Sequence, residues 1–139
     1  MAKFDIEFDK VIIAEGGYVN DPDDNGGETY LGISRKFNPK WGGWAIIDKE
    51  KKKGLKGITS RLKANHELTD KAKLLYKENY WDILELDDIP NQKIAHQLFD
   101  TCVNCGAKVA IDIAQQVTGM SKTGKWSSEL KYNLMQYNE

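Results

Sequence analysis

The chain has 139 residues, with 20 Lys plus Arg against 21 Asp plus Glu, 40% hydrophobic and 29% charged. A chain of that length buries most of its unfolded surface in one domain without disulfide staples, and its composition is too apolar for disorder. The balanced charge offers no net field to a polyanion, and no run of about 18 apolar residues is available to span a membrane. Nucleic acid and membrane insertion are therefore not expected, and a monomer is. The opening Met1-Ala2-Lys3-Phe4-Asp5 runs straight into an acidic amphipathic stretch and reads as leaderless.

Phe4, Phe8, Val11 and Ile12 recur at helical spacing, and Glu15 falls on the same stripe just before Gly16-Gly17, where the helix should end. Residues 16–34 are dense in Gly, Pro and polar turn formers, which demands tight turns or a small hairpin. Residues 35–60 show no sustained periodicity around the run Lys49-Glu50-Lys51-Lys52-Lys53 and read as a solvated, mobile connection. Leu62, Leu68, Ala72, Leu75 and Tyr76 trace one helix from Ser60 to Tyr80-Trp81. Ile94, Ala95, Leu98, Phe99, Cys102 and Val103 give a broad apolar helix ended by Gly106 and expected to be the most buried. Ala107–Val117 gives another helix, and Leu130, Leu134 and Tyr137 a weaker last one.

Cys102 and Cys105 form a C-x-x-C inside that apolar helix, which reads as core packing rather than redox chemistry. His66 and His96 complete no pattern of metal ligands, so neither metal nor cofactor is expected.

Cleaving a glycosidic bond needs a carboxylic acid that holds its proton near neutrality. At the last turn of a helix and on its apolar stripe, Glu15 meets two conditions that favour the neutral form, partial desolvation and the negative end of the helix dipole. The two glycines after it would let a carbohydrate chain approach the backbone. An ordinary helix-end carboxylate with a glycine cap accounts for the same residues equally well.

The string Glu15 to Ile33, E-G-G-Y-V-N-D-P-D-D-N-G-G-E-T-Y-L-G-I, resembles the signature of glycoside hydrolase family 108, the N-acetylmuramidases once described as secretion activators. Tyr80-Trp81 is similar to that family's Y-W pair, and Phe99-Asp100-x-x-Val103-Asn104-x-Gly106 to its F-D-x-x-V-N-x-G helix. The region from Ile94 onward is similar to the companion peptidoglycan-binding region, while Lys49–Lys53 has no counterpart in the pattern. The order Glu, Asp, Thr also resembles the phage-type lysozymes, in which a helix-end glutamate is followed by an aspartate and a threonine on a small hairpin.

The resemblance implies a mainly α, lysozyme-like fold with a small loop or hairpin after the first helix. Residues 1–90 would be the catalytic region and 91–139 a helical peptidoglycan-binding-like region, packed as one globular unit. It implies a muramidase acting on the β-1,4 glycan strands of peptidoglycan, with Glu15 as acid and Asp24 and Thr29 as its companions. Such a protein would be made in the cytoplasm and reach the wall after release or export. Substrate contacts are expected from Tyr18, Asn20, Tyr30, Asp100 and Asn104. Each has a plainer role: Asp24 bonding turn amides, Thr29 as a strand residue, the tyrosines packing under the loop, and Asp100 and Asn104 tying down a neighbouring segment. Asp24 lies on a loop that must double back, with Thr29 on the returning strand, a layout suited to holding a water between them and hence to inversion. The alternative is a non-catalytic wall-binding or secretion-assisting module, which needs no protonated carboxylate.

Overall fold

A computed structural model describes residues 1–137. The chain is mainly helical, with one small antiparallel sheet. In order it forms α1 (Phe4–Ala14), β1 (Tyr18–Asn20), β2 (Glu28–Tyr30), β3 (Ile33–Ser34), α2 (Gly43–Lys52), α3 (Ile58–Lys63), α4 (His66–Tyr76), α5 (Gln92–Cys105), α6 (Ala107–Val117) and α7 (Ser128–Gln136). It divides into two compact units, one covering Phe8–Leu75 and the other Met1–Glu7 with the chain from Tyr76 onward. The last two residues of the 91–139 region lie outside the described residues. Among the described residues no helix is long and apolar enough to cross a membrane.

In the Phe8–Leu75 unit the sheet has the order β1-β2-β3, pairing Tyr18 with Tyr30, Val19 with Thr29, Asn20 with Glu28, and Tyr30 with Ile33. The β2–β3 connection is a two-residue turn, Leu31-Gly32, with φ of 48° and 75°. Both residues at positive φ is the hairpin geometry whose twist matches the strands. Leu31 is a costly residue for it, by about 1 kcal/mol or more, yet it is 1% exposed, and its burial offsets that strain.

The segment expected to be a mobile connection is instead ordered helix. In α2 the buried Trp44 and Ile47 face inward, and Trp44 Nε1 donates to Asn38 O at 2.7 Å while its ring meets Trp41 edge-on. Two apolar anchors one turn apart are too short a stripe to register as periodicity, and two glycines and a lysine run obscure them further. Arg61 closes the helix from α3, donating from Nη2 to the carbonyls of Glu50 and Gly54 and from Nε to the Glu50 carboxylate.

The single helix expected from Ser60 to Trp81 is also interrupted. Asn65 offers Oδ1 to Leu68 N at 2.9 Å, so it starts a new helix rather than continuing the old one. After Tyr76 the chain widens into a π turn over Lys77–Trp81 and then two 3₁₀ turns, Asp82–Leu84 and Leu86–Asp88.

The other unit is built on α5 and α6. Asn91 caps α5 through Lys93 N and Ile94 N, and Gly106, at φ 94°, separates the two helices where the sequence places the break. Phe4, Trp81 and Phe99 meet edge-on with centroids 5.4–5.8 Å apart, and Trp81 is 0% exposed. The buried carboxylate of Glu7 accepts from Gln92 Nε2 at 2.7 Å and contacts His96 Nδ1 at 2.5 Å. The C-x-x-C pair is split: Cys102 is buried, its thiol pushed up to about 11 by desolvation, whereas Cys105 at the helix end is exposed. The expectation of two buried cysteines thus holds for one. Three residues advance the chain 300° around the helix, and the end of α5 is uncovered.

Candidate active site

Glu15 follows directly on α1, its N–H donating to Val11 O at 2.8 Å, and it is half-buried. The two glycines after it do different work from that expected of them. Neither takes the positive φ of a helix C-cap. A Cβ on Gly17 would lie 2.2 Å from Thr59 Cγ2, so this position is occupied by α3 and closed to a ligand, and Tyr18 N donates to the Thr59 hydroxyl at 3.1 Å. Gly16 has open space on its Cβ side, and its carbonyl accepts from Leu31 N at 3.1 Å. The residue beside Glu15 is therefore pinned to the β2–β3 turn.

The connection from β1 to β2 is made by aspartates folding on their own backbone. Asp21 Oδ1 accepts from Asp23 N at 2.9 Å, and Asp24 Oδ1 from Gly26 N at 3.1 Å. Asp24 is exposed, and its Oδ2 accepts from no described residue. Gly27 at φ 60° completes the turn, and Ser34 Oγ donates to Gly26 O at 2.8 Å. Thr29 is half-buried, and its hydroxyl bonds to no described residue. A Cβ on Gly26 would stand 3.6 Å from Thr29 Cγ2 and 3.9 Å from Asp24 Oδ1, so these two side chains flank the same glycine. The plainer role foreseen for Asp24 is thus real for one of its oxygens and leaves the other free.

Strand alternation separates the remaining candidates. Thr29 shares a face with Val19 and Ser34, while Glu28 and Tyr30 point to the opposite face together with Tyr18 and Asn20. Tyr30 is 0% exposed and packs under the loop, which closes its ring to a sugar; its hydroxyl is buried with no partner among the described residues, and desolvation pushes its pKa up to about 12. Tyr18 is half-buried and Asn20 exposed. Asp100 and Asn104 lie exposed on α5, in the other unit, where Asn104 Nδ2 donates to Asp100 O at 2.9 Å.

The sequence reading missed Glu28. Its side chain, 12% exposed, gathers Tyr18 OH at 2.5 Å, Lys51 Nζ at 2.8 Å and Arg35 Nη1 at 3.0 Å, and Arg35 in turn forks onto both oxygens of Asp48 at 2.8 and 2.9 Å. Burial alone would raise the Glu28 carboxyl, but hydrogen bonds from Lys51, Tyr18 and Arg35 outweigh it and hold the group below the usual carboxylate range. Asp48 is held low chiefly by Arg35. Burial and the Glu28 carboxylate push Tyr18 up, and Glu28 raises Lys51. The hub clamps the hairpin to α2. The one signal for it was the i, i+3 pair Asp48 and Lys51, hidden inside a charge run that looks solvated.

A half-buried carboxylate at a helix end, followed by a small hairpin bearing an aspartate and a threonine on a mainly helical chain, is the lysozyme-like arrangement. The model of glycosyl hydrolase family 108 matches residues 8–106, and the chain belongs to that family. Among solved structures, SagA of Brucella abortus is similar, with 27% identity and a TM-score of 0.68 over 97% of this chain and 70% of that one. No curated protein matches.

Proposed function

We propose that the chain is an N-acetylmuramidase that cuts the β-1,4 glycan strands of peptidoglycan. The observation that carries this reading is that the family match spans Glu15, Asp24 and Thr29, while the Asp24 and Thr29 side chains flank one glycine and the Asp24 Oδ2 and the Thr29 hydroxyl bond to no described residue. In this reading Glu15 protonates the leaving glycosidic oxygen as the C1–O bond breaks. Asp24 takes a proton from a water that Thr29 helps to hold, and the water's oxygen bonds to C1 from the opposite face. A water between the pair requires a carboxyl separation of roughly 6.5–9.5 Å and gives inversion. Tyr18 and Asn20 point to the face of the sheet opposite Thr29, so they are not assigned to the sugar at the cleavage point. Incubation with purified Gram-negative sacculi, mass analysis of the fragments and NMR before mutarotation test it. The expected products carry a reducing muramic acid end and appear first as the α-anomer. A reducing glucosamine end or initial β-product contradicts the bond or the stereochemistry assigned.

A wall-binding role for residues 91–139 attaches to a polar recess bordered by Gln115, Ser121, Thr123, Lys125, Trp126 and Glu129. The Gln115 side chain, 2% exposed, fixes this segment by accepting from Thr123 N and Gly124 N and donating to the Thr123 hydroxyl. Asp100 and Asn104 lie apart from that recess in sequence. Retained binding to sacculi by a protein that releases no fragments would favour the non-catalytic reading.

A further inference from the structure

The charge of the chain is balanced in sum and segregated in place. From Arg35 to Lys63 there are ten lysines and arginines against two carboxylates, Asp48 and Glu50. Both carboxylates are already engaged, Asp48 by Arg35 at 2.8 Å and Glu50 by Arg61 at 3.0 Å. Helix α2 sorts the cations that are left. Trp44 and Ile47 face the core and Lys51 turns to Glu28, whereas Lys49, Lys52 and Lys53 are exposed, with Lys56 following in the next turn. Lys49 and Lys52 lie on α2, Lys53 caps it, and Lys56 follows in the turn beyond Gly54, so the four form one exposed cluster at the end of the helix. Lys49, Lys52 and Lys56 make no ion pair with a described residue, and Lys53, paired with Glu50 at 3.0 Å, is still 67% exposed. Like charges in one cluster repel each other, so this arrangement adds nothing to the fold.

We propose that this lysine cluster is a docking surface for the carboxylates of peptidoglycan stem peptides, an inference that rests on reading the chain as a peptidoglycan glycosidase. Lys51, within the same run, reaches Glu28 with its ammonium, so the segment that carries these lysines is tied to the hairpin. A stem bound to them keeps its glycan strand in the neighbourhood of the hairpin. The apolar side of α2 is buried in the core, which leaves no amphipathic face to lie in a bilayer. The two nearby tryptophans meet edge-on and bond backbone carbonyls through their indole N–H groups, which ties their rings to the protein rather than offering them to stacked bases. A repeating polymer engages several such weak contacts at once, and avidity makes them effective.

The test is cosedimentation of the full chain with purified sacculi, with sacculi whose carboxyls have been amidated, and with phosphatidylglycerol vesicles. The parent is compared with the K49E/K52E/K53E/K56E variant, and unchanged thermal melting establishes that the variant folds. Reversing four exposed charges is expected to weaken binding to native sacculi by about tenfold or more. Raising the salt from about 50 to about 500 mM should have a similar effect on the parent. Amidation should weaken the parent by a comparable factor and the variant little. Equal binding by parent and variant, indifference to amidation, or tighter capture by the vesicles than by sacculi overturns the proposal. Fragment release by the parent from the same sacculi tests the glycosidase reading separately. Charge-dependent binding without release supports the cluster and contradicts that reading, while release with unaltered binding by the variant contradicts the cluster alone.

Discussion

Around Trp81 the chain is held by rings and aliphatic side chains, and around Glu28 it is held by charges. The first region joins Phe4, Trp81 and Phe99 edge to face beneath α5, with the buried, hydrogen-bonded Glu7 carboxylate as a polar exception. The second joins Tyr18, Glu28, Arg35, Asp48 and Lys51 in one network beside a sheet of three short strands. Apolar packing is nondirectional and tolerates no water, whereas a charged hub fixes geometry at a partly hydrated surface. The candidate acid and its companions belong to the region held by charges, where orientation matters more than bulk stability.

Substitutions should separate the two regions by size of effect. Trp81→Ala removes a fully buried ring and its hydrogen bond to Asp87, and should lower unfolding stability by about 3–5 kcal/mol. A loss under about 1 kcal/mol in denaturant titration would show that this core is not the main support of its unit. Glu28→Ala leaves Lys51, Arg35 and Tyr18 without their shared acceptor. Because Arg35 and Lys51 are about a third exposed, the cost should be smaller, about 1–2 kcal/mol. Hydrolytic activity should nonetheless fall more per folded molecule than it does for any conservative change in the Trp81 region. Equal specific activity would mean the hub does not position the hairpin.

Acid sharpens the same contrast. The folded Glu28 carboxyl is held below its unfolded value, so its contribution is fully present above about pH 4.3 and is lost as pH falls through the lowered folded value. Melting temperature should drop on that acid limb, and Glu28→Gln should flatten it. A limb identical in the variant would assign the acid sensitivity to other groups. The smallest effect concerns the cysteines. Cys105 should react promptly with a thiol reagent at pH 8 and Cys102 only on unfolding, because the latter is buried with its thiol raised to about 11. Equal rates would contradict the packing of α5.

What could be read from the sequence follows the same division. Phe4, Phe8 and Val11 marked α1, and Gly106 separated α5 from α6, because apolar periodicity and a glycine at positive φ leave direct traces. Helix α2 was not legible, since its anchors are two residues and its remaining inward contacts are ionic. Asn65 broke an otherwise helical pattern by capping the next helix, a choice that depends on which backbone amide is left unpaired. At the site, the sequence led to Glu15, Asp24 and Thr29 through a motif, but not to Glu28, whose partners lie 7 to 23 residues away.

In the proposed mechanism Glu15 delivers the proton that breaks the glycosidic bond. Replacing it by Gln keeps its shape and hydrogen-bonding reach while removing the acid, so fragment release from sacculi by Glu15→Gln measures that role directly. The expected rate is lower by about a hundredfold or more, with melting temperature and sacculus binding unchanged. Release within a few-fold of the parent would contradict it.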